Sequence, residues 1–417
     1  MSKIGGTGVY TKLLIEKMVE EKHTIGLWPA DSLVFKDLEK MDIVRYSIMT
    51  KMISTEWDIL VIQNALTLTA ASHLLHQLKG IPNIFISHSS LNIDQISPYP
   101  DLFKVVSIAK TISNSWGIPD EMVRVIFNPH VIPKYNSYKR RRHGPYKILH
   151  VSRLDPDRTN TVRDIITVFN NLAECHLTIV GGGWDYMLKK CANNNISFVG
   201  EQADVSAYYK ETDLVIGSGR VAVEALSYCK PVIVAGIRGL GGLVKPENYE
   251  RFKGIMFSGR FDGILQEKIS SELLKNEIVT TLSNNRLQEI VNNNYALVKE
   301  DYNIQHIIPE MVSLFNDVTN INKQLSDFNT FTQLKPRLAS NCKFYKNGKS
   351  DTYQIRRHPI GKILGQINRE GKEMLECFNG KNSIDDIAFS FAYNNKKDLV
   401  DLSAGLRELW NEKILIF

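Results

Sequence analysis

The sequence predicts an α/β protein made of two doubly wound parallel-sheet domains and a small C-terminal α+β domain. The chain has 417 residues, which is more than one ordinary hydrophobic core accommodates. Residues 1–310 alternate short apolar runs with longer helical patterns, and the C-terminal residues follow a different pattern. We expect the domains at 1–135, 145–315 and 333–417.

The apolar runs of the first two domains predict parallel strands buried on both faces, because each run is continuous and ends in a small residue or a turn. They are DILVIQ (58–63), NIFIS (83–87), VVSIA (105–109), VRVIF (123–127), KILHVS (147–152), HLTIVG (176–181), ISFVG (196–200), DLVIG (213–217) and PVIVAG (231–236). Helices are predicted between them at 162–172, 185–193 and 221–229. Polar composition predicts linkers at 129–146 and 310–335.

The C-terminal segment predicts a hairpin, three helices and a closing strand, which is the outline of a small winged-helix-like domain. The hairpin would pair KFY (343–345) with YQI (353–355). The first helix is expected at 362–378. Ser383 and Asp386 form a capping-box pattern ahead of the second helix. The third helix is expected at 398–411, followed by the strand KILIF.

Composition excludes several classes of protein. Charged residues make up 23% and apolar residues 43%, which is typical of a globular protein. No apolar stretch reaches the roughly 18 residues of a membrane span, and residues 1–10 lack the apolar core of a signal peptide. The five cysteines are scattered without C-x-x-C spacing, which predicts reduced thiols, no zinc site and a cytoplasmic location.

The net charge of +6 is unevenly distributed. Residues 333–372 contain ten Lys/Arg and two Asp/Glu, and a second basic cluster runs from Lys139 to Arg142. Such patches favour acidic partners. A solvated linker and a solvated surface are the alternatives.

HVSRLDPDRT (150–159) predicts a diphosphate clamp. Arg153 and Arg158 flank a turn, and the following helix directs its N-terminus back toward them. Two guanidinium groups and free helix N–H groups would bind a diphosphate well. The alternative is that both arginines pair with Asp155 and Asp157.

IGSGRVAVEAL (216–226) predicts a tight turn that opens a helix. Gly217 and Gly219 permit close backbone approach, and the helix start offers unpaired N–H groups. Glu224, one turn into the helix, suits the two hydroxyl groups of a ribose. The alternative is an ion pair between Glu224 and Arg220 at i,i+4 spacing.

Taken together, residues 1–315 resemble the GT-B glycosyltransferases, family 4-like. The resemblance rests on GGTGVYTKLLIEKMVEEKHTIGL (5–27), RVIFNPHVI (124–132), ILHVSRLDPDRT (148–159), TIVGGG (178–183), ISFVGEQADVSAYYKETDLVIG (196–217) and GRVAVEALSYCKPVIVAG (219–236). It implies two Rossmann-like domains and a nucleotide-sugar donor, with Arg153 and Arg158 on the diphosphate. The implied donor-binding residues are Gly5, Gly6, Gly182, Gly200, Glu201, Gly217, Ser218, Gly219, Arg220, Val221 and Glu224.

Two positions depart from this family pattern. The family often has a sugar-contacting glutamate eight residues before the position of Glu224, where this chain has Ile216. That departure leaves the sugar and the stereochemistry open. Only Met1–Ile4 precede Gly5, so the first domain is expected to lack its first strand or to be truncated.

The acceptor side is marked by two polar residues at predicted strand ends. His88 follows NIFIS and is a candidate base or acceptor-orienting group. Asn64 follows DILVIQ and is a candidate acceptor contact. The alternative for His88 is a structural, hydrogen-bonded histidine.

The C-terminal segment resembles the PqqD-like recognition element of ribosomally synthesised, post-translationally modified peptides (RiPPs). The matching stretches are INREGKEMLECFNGKNSIDDIAFSFA (367–392) and LSAGLRELWNEKILIF (402–417). The resemblance implies capture of a leader peptide by strand addition, with Arg356 and Arg357 as acceptor contacts. A DNA-binding winged helix and a dimerisation module are the alternatives, and the latter would make a homo-oligomer. The acidic helix at 383–392, which has no arginine, disfavours nucleic acid.

These resemblances predict a hexosyltransferase that modifies a precursor peptide, using a nucleotide-sugar as co-substrate with no further cofactor and no metal. One alternative is a glycosyltransferase that acts on a cell-envelope acceptor. Another is a peptide-binding protein whose α/β part has lost activity.

Overall fold

The computed structural model describes residues 6–28, 38, 41–46, 51–52, 55–63, 80–88, 102–109, 118–138, 144–202, 204–348, 350–358, 361–391 and 396–416. The chain divides into two units. The first unit contains residues 1–126 and 308–417, and the second contains residues 127–307. The basic cluster Lys139–Arg142 lies outside the described residues.

The N-terminal part of the first unit is a parallel sheet with the strand order β3-β4-β5-β6. Its elements are α1 (Gly6–Glu20), β1 (Gly26–Leu27), β2 (Val44–Arg45), β3 (Leu60–Gln63), β4 (Asn83–Ser87), β5 (Leu102–Ser107), the 3₁₀ turn Asp120–Met122 and β6 (Val123–Val125). In β4 and β5, the side chains of Ile84, Phe85, Val105 and Val106 are fully buried. The expectation of a missing first strand concerns residues 1–5, which lie outside the described residues.

The second unit is a six-stranded sheet with helices on both faces. Its elements are β7 (Tyr146–Val151), α2 (Pro156–Phe169), β8 (Cys175–Val180), α3 (Asp185–Lys189), β9 (Ile196–Gly200), α4 (Ser206–Glu211), β10 (Leu214–Gly217), α5 (Arg220–Ser227), β11 (Val232–Gly236), β12 (Gly239–Leu243), α6 (Pro246–Gly254), α7 (Ser271–Ser283) and α8 (Leu287–Tyr302). The strand order is β12-β11-β10-β7-β8-β9, and only the edge strand β12 is antiparallel. Alternate β7 residues face opposite cores, with Ile148 toward α2 and α7 and Leu149 toward α5 and α8.

The nine predicted parallel strands all overlap observed parallel strands, so the α/β class is confirmed. The helix predicted from 162 begins earlier, at Pro156. Asp155 occupies its N-cap position and Pro156 its first helical position, where a proline is well tolerated.

The predicted linker at 310–335 is wrong, because most of it is helical. α9 (Ile304–Ser326) is followed by α10 (Phe328–Phe331). A stripe of buried residues runs along α9 despite the Asn- and Asp-rich composition, and includes Met311, Phe315 and Val318. Burial of this stripe stabilises the helix more than its polar residues weaken it.

The C-terminal residues form a three-stranded antiparallel sheet, three helices and a short strand pair. The elements are β13 (Arg337–Leu338), β14 (Cys342–Lys346), β15 (Thr352–Arg357), β16 (Lys362–Asn368), α11 (Arg369–Glu376), α12 (Ile384–Ser390), α13 (Lys396–Asn411) and β17 (Leu415–Ile416). The predicted hairpin is present as β14–β15, and the capping box of Ser383 and Asp386 is present at α12. β17 pairs with β13.

The helix predicted over 362–378 is wrong in its first half. Residues 362–368 form β16, which pairs with β15 through Ile355 and Gly365. The helix begins only after Asn368, whose side chain accepts a hydrogen bond from the N–H of Gly371. The i,i+4 spacing of Ile363 and Ile367 suggested a helix, but pairing with β15 decides the structure.

Among the described helices, none combines the length and the apolar composition that a membrane span requires.

Candidate functional site

Four adjacent strands of the second unit bring their carboxyl-terminal loops to one edge of the sheet. The strands are β10, β7, β8 and β9 in that order. Ile216 pairs with His150, and Val151 pairs with Val180. The sequence predicted candidate residues in each of these four loops, and the structure places them side by side. Ligands of open parallel sheets bind at this edge.

The loop after β10 is a tight turn that ends in a helix start. Gly219 has φ 62° and ψ −133°, and its N–H donates to the carbonyl of Phe257 at 3.0 Å. α5 begins at Arg220, so the N–H groups of Arg220 and Val221 have no acceptor within the helix. A Cβ atom on Gly217 would lie 2.6 Å from Cγ1 of Val221. The turn therefore requires glycine and presents N–H groups to the sheet edge, as an anion site does.

Glu224 is held in place by two neighbours. The hydroxyl of Tyr209 donates to its Oε2 at 3.0 Å, and Arg220 Nη2 donates to its Oε1 at 3.4 Å. The ion pair with Arg220 that the sequence offered as an alternative is therefore formed. Tyr209 is buried and stacks on Tyr228, with 5.3 Å between the ring centroids. Burial, followed by the nearby Glu224 carboxylate, raises the pKa of Tyr209 well above its ordinary value, so its hydroxyl stays a donor.

Sequence reasoning missed Tyr209. The only signal available was the tyrosine pair in SAYYKE ahead of β10. Two tyrosines in a short helix do not show which of them faces a carboxylate.

Arg153 and Arg158 both lie beside acidic residues. Arg153 Nη1 is 3.3 Å from Asp155 Oδ2, and Arg158 Nε is 3.9 Å from Asp157 Oδ2. The alternative pairing is therefore formed as well, although exposed pairs of this kind contribute little to stability. Among the described residues, Arg158 Nε and Arg220 Nη1 are buried without a hydrogen-bond partner. Unpartnered buried donors of two arginines at one sheet edge favour an anionic ligand.

His150 is a buried polar residue of β7 that the sequence did not mark. Its Nδ1 lies 2.8 Å from the carbonyl oxygen of Ile216, so Nδ1 carries the proton and donates. Burial, more than the nearby Arg158, lowers the pKa of His150 to about 4. Its Nε2 is an unpartnered acceptor within the described residues. The side chain of Ile216 is fully buried in the core, so this position offers no polar group to a sugar.

The loops after β8 and β9 pack closely against the loop after β7. Gly181 has φ 149°, and a Cβ atom there would lie 1.8 Å from the carbonyl oxygen of Ser152. A Cβ atom on Gly182 would lie 3.1 Å from Cβ of Glu201. Gly200 has φ 84°. Because these positions are glycines, the backbone of both loops can lie close to the sheet edge at which a ligand would bind.

In the first unit, His88 follows β4 at the carboxyl end of the sheet. Its Nε2 is 3.4 Å from Oε1 of Gln63, which also accepts a hydrogen bond from Thr11 at 2.8 Å. The ring of Tyr10 meets His88 edge-on at 5.1 Å. Gln63, Thr11 and Tyr10 were not predicted. Gly6 is the first residue of α1, and the predicted contacts Gly5 and Asn64 lie outside the described residues.

In the C-terminal part, the two predicted arginines differ in their surroundings. Arg356 donates to Oε1 of Gln354 and lies over the ring of Tyr345, 5.0 Å from its centroid. Arg357 is only 2% exposed and donates to the carbonyl of Glu412 at 2.5 Å. Because its guanidinium is used inside the fold, this position disfavours the predicted contact between Arg357 and an acceptor.

Comparison with known proteins decides the class of the second unit. Residues 132–308 match the family model "Glycosyl transferases group 1". This stretch is a glycosyltransferase domain. The protein is accordingly a glycosyltransferase, and the nucleotide-sugar chemistry predicted for its sheet edge fits that class. No curated protein matches the chain in sequence.

Solved structures similar to this chain include two of Anabaena HepE and one glycosyltransferase from Rickettsia africae. HepE with UDP and glucose has 17% identity and a TM-score of 0.57, covering 76% of this chain and 97% of that one. HepE with UDP-glucose has 18% identity and a TM-score of 0.58, with coverages of 76% and 97%. The Rickettsia protein has 15% identity and a TM-score of 0.59, with coverages of 75% and 95%. The likeness confirms the predicted GT-B fold of the glycosyltransferase.

Proposed function

We propose that this glycosyltransferase transfers a hexose from a UDP-sugar to a ribosomally synthesised precursor peptide, which residues 333–417 capture by its leader. The choice of a nucleotide-sugar donor is supported by the arrangement of residues at the sheet edge of the second unit. Glu224 and the N-terminus of α5 lie one strand away from Arg153 and Arg158. The resemblance to HepE, which was solved with UDP and with UDP-glucose, supports the choice of nucleotide.

The diphosphate would bind to the cationic part of this edge. Arg153, Arg158 and the first N–H groups of α5 would surround it, and the two arginines would exchange their aspartate partners for phosphate oxygens. Glu224, held by Tyr209, would accept hydrogen bonds from both ribose hydroxyls. The backbone at Gly200 and Glu201 would contact the base.

Transfer breaks the bond between the sugar's anomeric carbon and the diphosphate oxygen, and forms a bond from the same carbon to an acceptor oxygen. The arginines and the α5 dipole stabilise the negative charge that develops on the leaving diphosphate. The acceptor proton must leave, and His88 is the residue of the first unit that we propose to orient the acceptor or take this proton. No metal ion takes part in this proposal.

The choice of a peptide acceptor is supported by features of residues 333–417. Its likeness to the PqqD-like recognition elements and the basic segment 333–372 favour an acidic leader. The three-stranded sheet β14-β15-β16 has two edge strands to which an extended peptide could add. Arg356 and Tyr345 offer a cation and an aromatic ring at that sheet.

The deciding experiment is intact-mass analysis of candidate precursor peptides after incubation with the full chain and a panel of nucleotide sugars. A mass increase of one hexose residue with a UDP-sugar supports the proposal. Glu224→Gln should abolish most of the increase, and Glu211→Gln, on an exposed helix end, serves as its matched control. UDP release with a lipid-linked acceptor, but never with a peptide, would instead identify a cell-envelope enzyme.

A further inference from the structure

A cavity of about 650 Å³ lies in the first unit, between the parallel sheet, α9 and β13. Lys104 lies near the start of β5, and Asp120 precedes β6, so the cavity lies at the amino-terminal edge of these strands. Gln63 and His88 follow β3 and β4 at the opposite edge of the same sheet. The cavity is therefore distinct from the candidate acceptor site. Its size is that of a small-molecule pocket.

Two cations in the cavity wall, Lys104 and Arg337, lie within 4 Å of no carboxylate among the residues that the structure describes. Lys104 Nζ donates to the carbonyl oxygen of Glu121 at 2.7 Å, and neither Lys104 nor Arg337 forms an ion pair with a described carboxylate. Both cations line the same cavity. Burial lowers the pKa of Lys104 and the charge of Arg337 lowers it further, whereas the carboxylates of Glu121 and Asp317 oppose the shift. An anion between them would relieve their repulsion and replace the water that Lys104 has lost.

The acidic residues of the wall fall into two groups. Glu310 pairs with Arg124 at 3.7 Å, and the carboxylate of Glu121 accepts hydrogen bonds from Ser340. Asp120 and Asp317 are exposed and form no ion pair with a described residue. Their carboxylates are acceptors only, and the side chains of Ser313, Asn320 and Gln324 add further polar groups.

This mixture restricts the chemistry of a ligand. A ligand with only negative charges would be repelled by the two free aspartates, and a cation would be repelled by Lys104 and Arg337. A molecule with one phosphate and several hydroxyl groups satisfies both sets, because its hydroxyls donate to carboxylates while its phosphate accepts from the cations.

We propose that this cavity is a second binding site for a small phosphorylated sugar. The phosphate lies between Lys104 and Arg337, and the hydroxyl groups face Asp120 and Asp317. Lys104 belongs to the N-terminal sheet, whereas Arg337 belongs to the C-terminal part. Occupation of the site therefore fastens the two parts of the first unit together. The proposal does not depend on the identity of the acceptor.

The test is isothermal titration of the full chain with glucose 6-phosphate, with glucose and inorganic phosphate as separate arms. Excess UDP is present so that the donor site is already filled. We expect one glucose 6-phosphate site per chain, and binding about tenfold or more weaker for glucose or phosphate alone. Lys104→Met and Arg337→Met should each weaken binding by about tenfold. Asp317→Asn should weaken it severalfold.

Lys343→Met is the matched control, because Lys343 is an exposed cation of the same unit outside the cavity. It should bind as the unmodified chain does. Arg337 is exposed, so its variant tests the site even where the Lys104 variant disturbs folding. The proposal is overturned if glucose 6-phosphate produces no heat of binding, or if Arg337→Met binds it unchanged. Equal affinity for inorganic phosphate would also overturn it, since the sugar would then contribute nothing.

Discussion

The hydroxyl of Tyr209 donates a hydrogen bond of 3.0 Å to Oε2 of Glu224. This bond joins a buried tyrosine of α4 to the helix that begins at the candidate donor site. Glu224 Oε1 also faces Arg220, so the carboxylate has a set orientation before any ligand arrives. A carboxylate held in this way can bind a ribose without losing further rotational freedom.

Removing the Tyr209 hydroxyl tests this positioning role. Tyr209→Phe keeps the ring that stacks on Tyr228 but loses the donor, so Glu224 gains freedom. We expect UDP affinity to fall by about threefold to tenfold, which corresponds to about 1 kcal/mol. Isothermal titration with UDP measures it. Tyr186→Phe, at an exposed tyrosine of α3, should leave the affinity unchanged. An unaltered Kd for Tyr209→Phe would contradict the role.

Removing the charge of Glu224 should have a larger effect. Glu224→Gln retains the shape but accepts fewer hydrogen bonds from the ribose and loses the pairing with Arg220. We expect kcat/KM for the donor to fall by about a hundredfold, and steady-state UDP release measures it. The control Glu211→Gln changes an exposed carboxylate that pairs with Lys147 at the surface. Equal activity of the two variants would remove Glu224 from the site.

Arg158 is expected to act on the leaving diphosphate. Arg158→Met removes a guanidinium whose Nε is buried without a hydrogen-bond partner, and we expect kcat to fall by about a hundredfold to a thousandfold. Arg163→Met, at an exposed arginine later in the same helix, is the control. If both variants retained full kcat, Arg158 would be a structural arginine paired with Asp157.

Gly181 should be intolerant of any side chain. Its φ of 149° is unfavourable for other residues, and a Cβ atom would lie 1.8 Å from a backbone oxygen. Gly181→Ala should lower the free energy of unfolding by about 3 kcal/mol or more. Gly405→Ala, where a Cβ atom on α13 meets nothing within 4 Å, should instead raise it by about 0.5–1 kcal/mol. Thermal melting of both variants checks the two directions; a harmless Gly181→Ala would show that the loop relaxes.

Because the pKa of His150 is lowered in the folded protein, we expect the protein to lose stability in mild acid. Its folded pKa of about 4 lies below the ordinary value of 6.5, so the unfolded chain binds the additional proton between these values. Stability therefore falls as the pH drops from 6.5 toward 4, by about 1.5 kcal/mol between pH 6.5 and 5. His130, whose pKa burial also lowers to about 4, adds a similar loss.

Urea unfolding at a series of pH values measures this slope. His150→Gln keeps a side-chain donor for the carbonyl of Ile216 but cannot be protonated, so its slope should be shallower than that of the unmodified chain. His176→Gln, at a half-buried histidine bonded to Ser197, is the control and should keep the full slope. Identical slopes for His150→Gln and the unmodified chain would contradict the assignment.

The parallel strands and the donor residues were predictable because they depend on local pattern. Continuous apolar runs mark strands that are buried on both faces, and glycines with a following helix mark the turn at Gly217–Arg220. The polar partners were not predictable in the same way. Nothing in the sequence distinguishes Tyr209 and Gln63 from other polar residues. Packing of α4 against α5 brings Tyr209 to Glu224, and the pairing of β3 with β4 brings Gln63 to His88.

Residue periodicity and turn chemistry alone were enough to predict the α/β class, the helix that follows the glycine turn at Gly217–Gly219, and the capping box at Ser383. Tertiary contacts decided everything that depends on distant segments. Pairing with β15 makes 362–368 a strand, burial of its apolar stripe makes α9 a helix, and the carbonyl of Glu412 engages Arg357 inside the fold. The physical reason is that the periodic spacing of apolar side chains reports on only a few neighbouring residues. Burial and strand pairing depend on residues that are far apart in the chain.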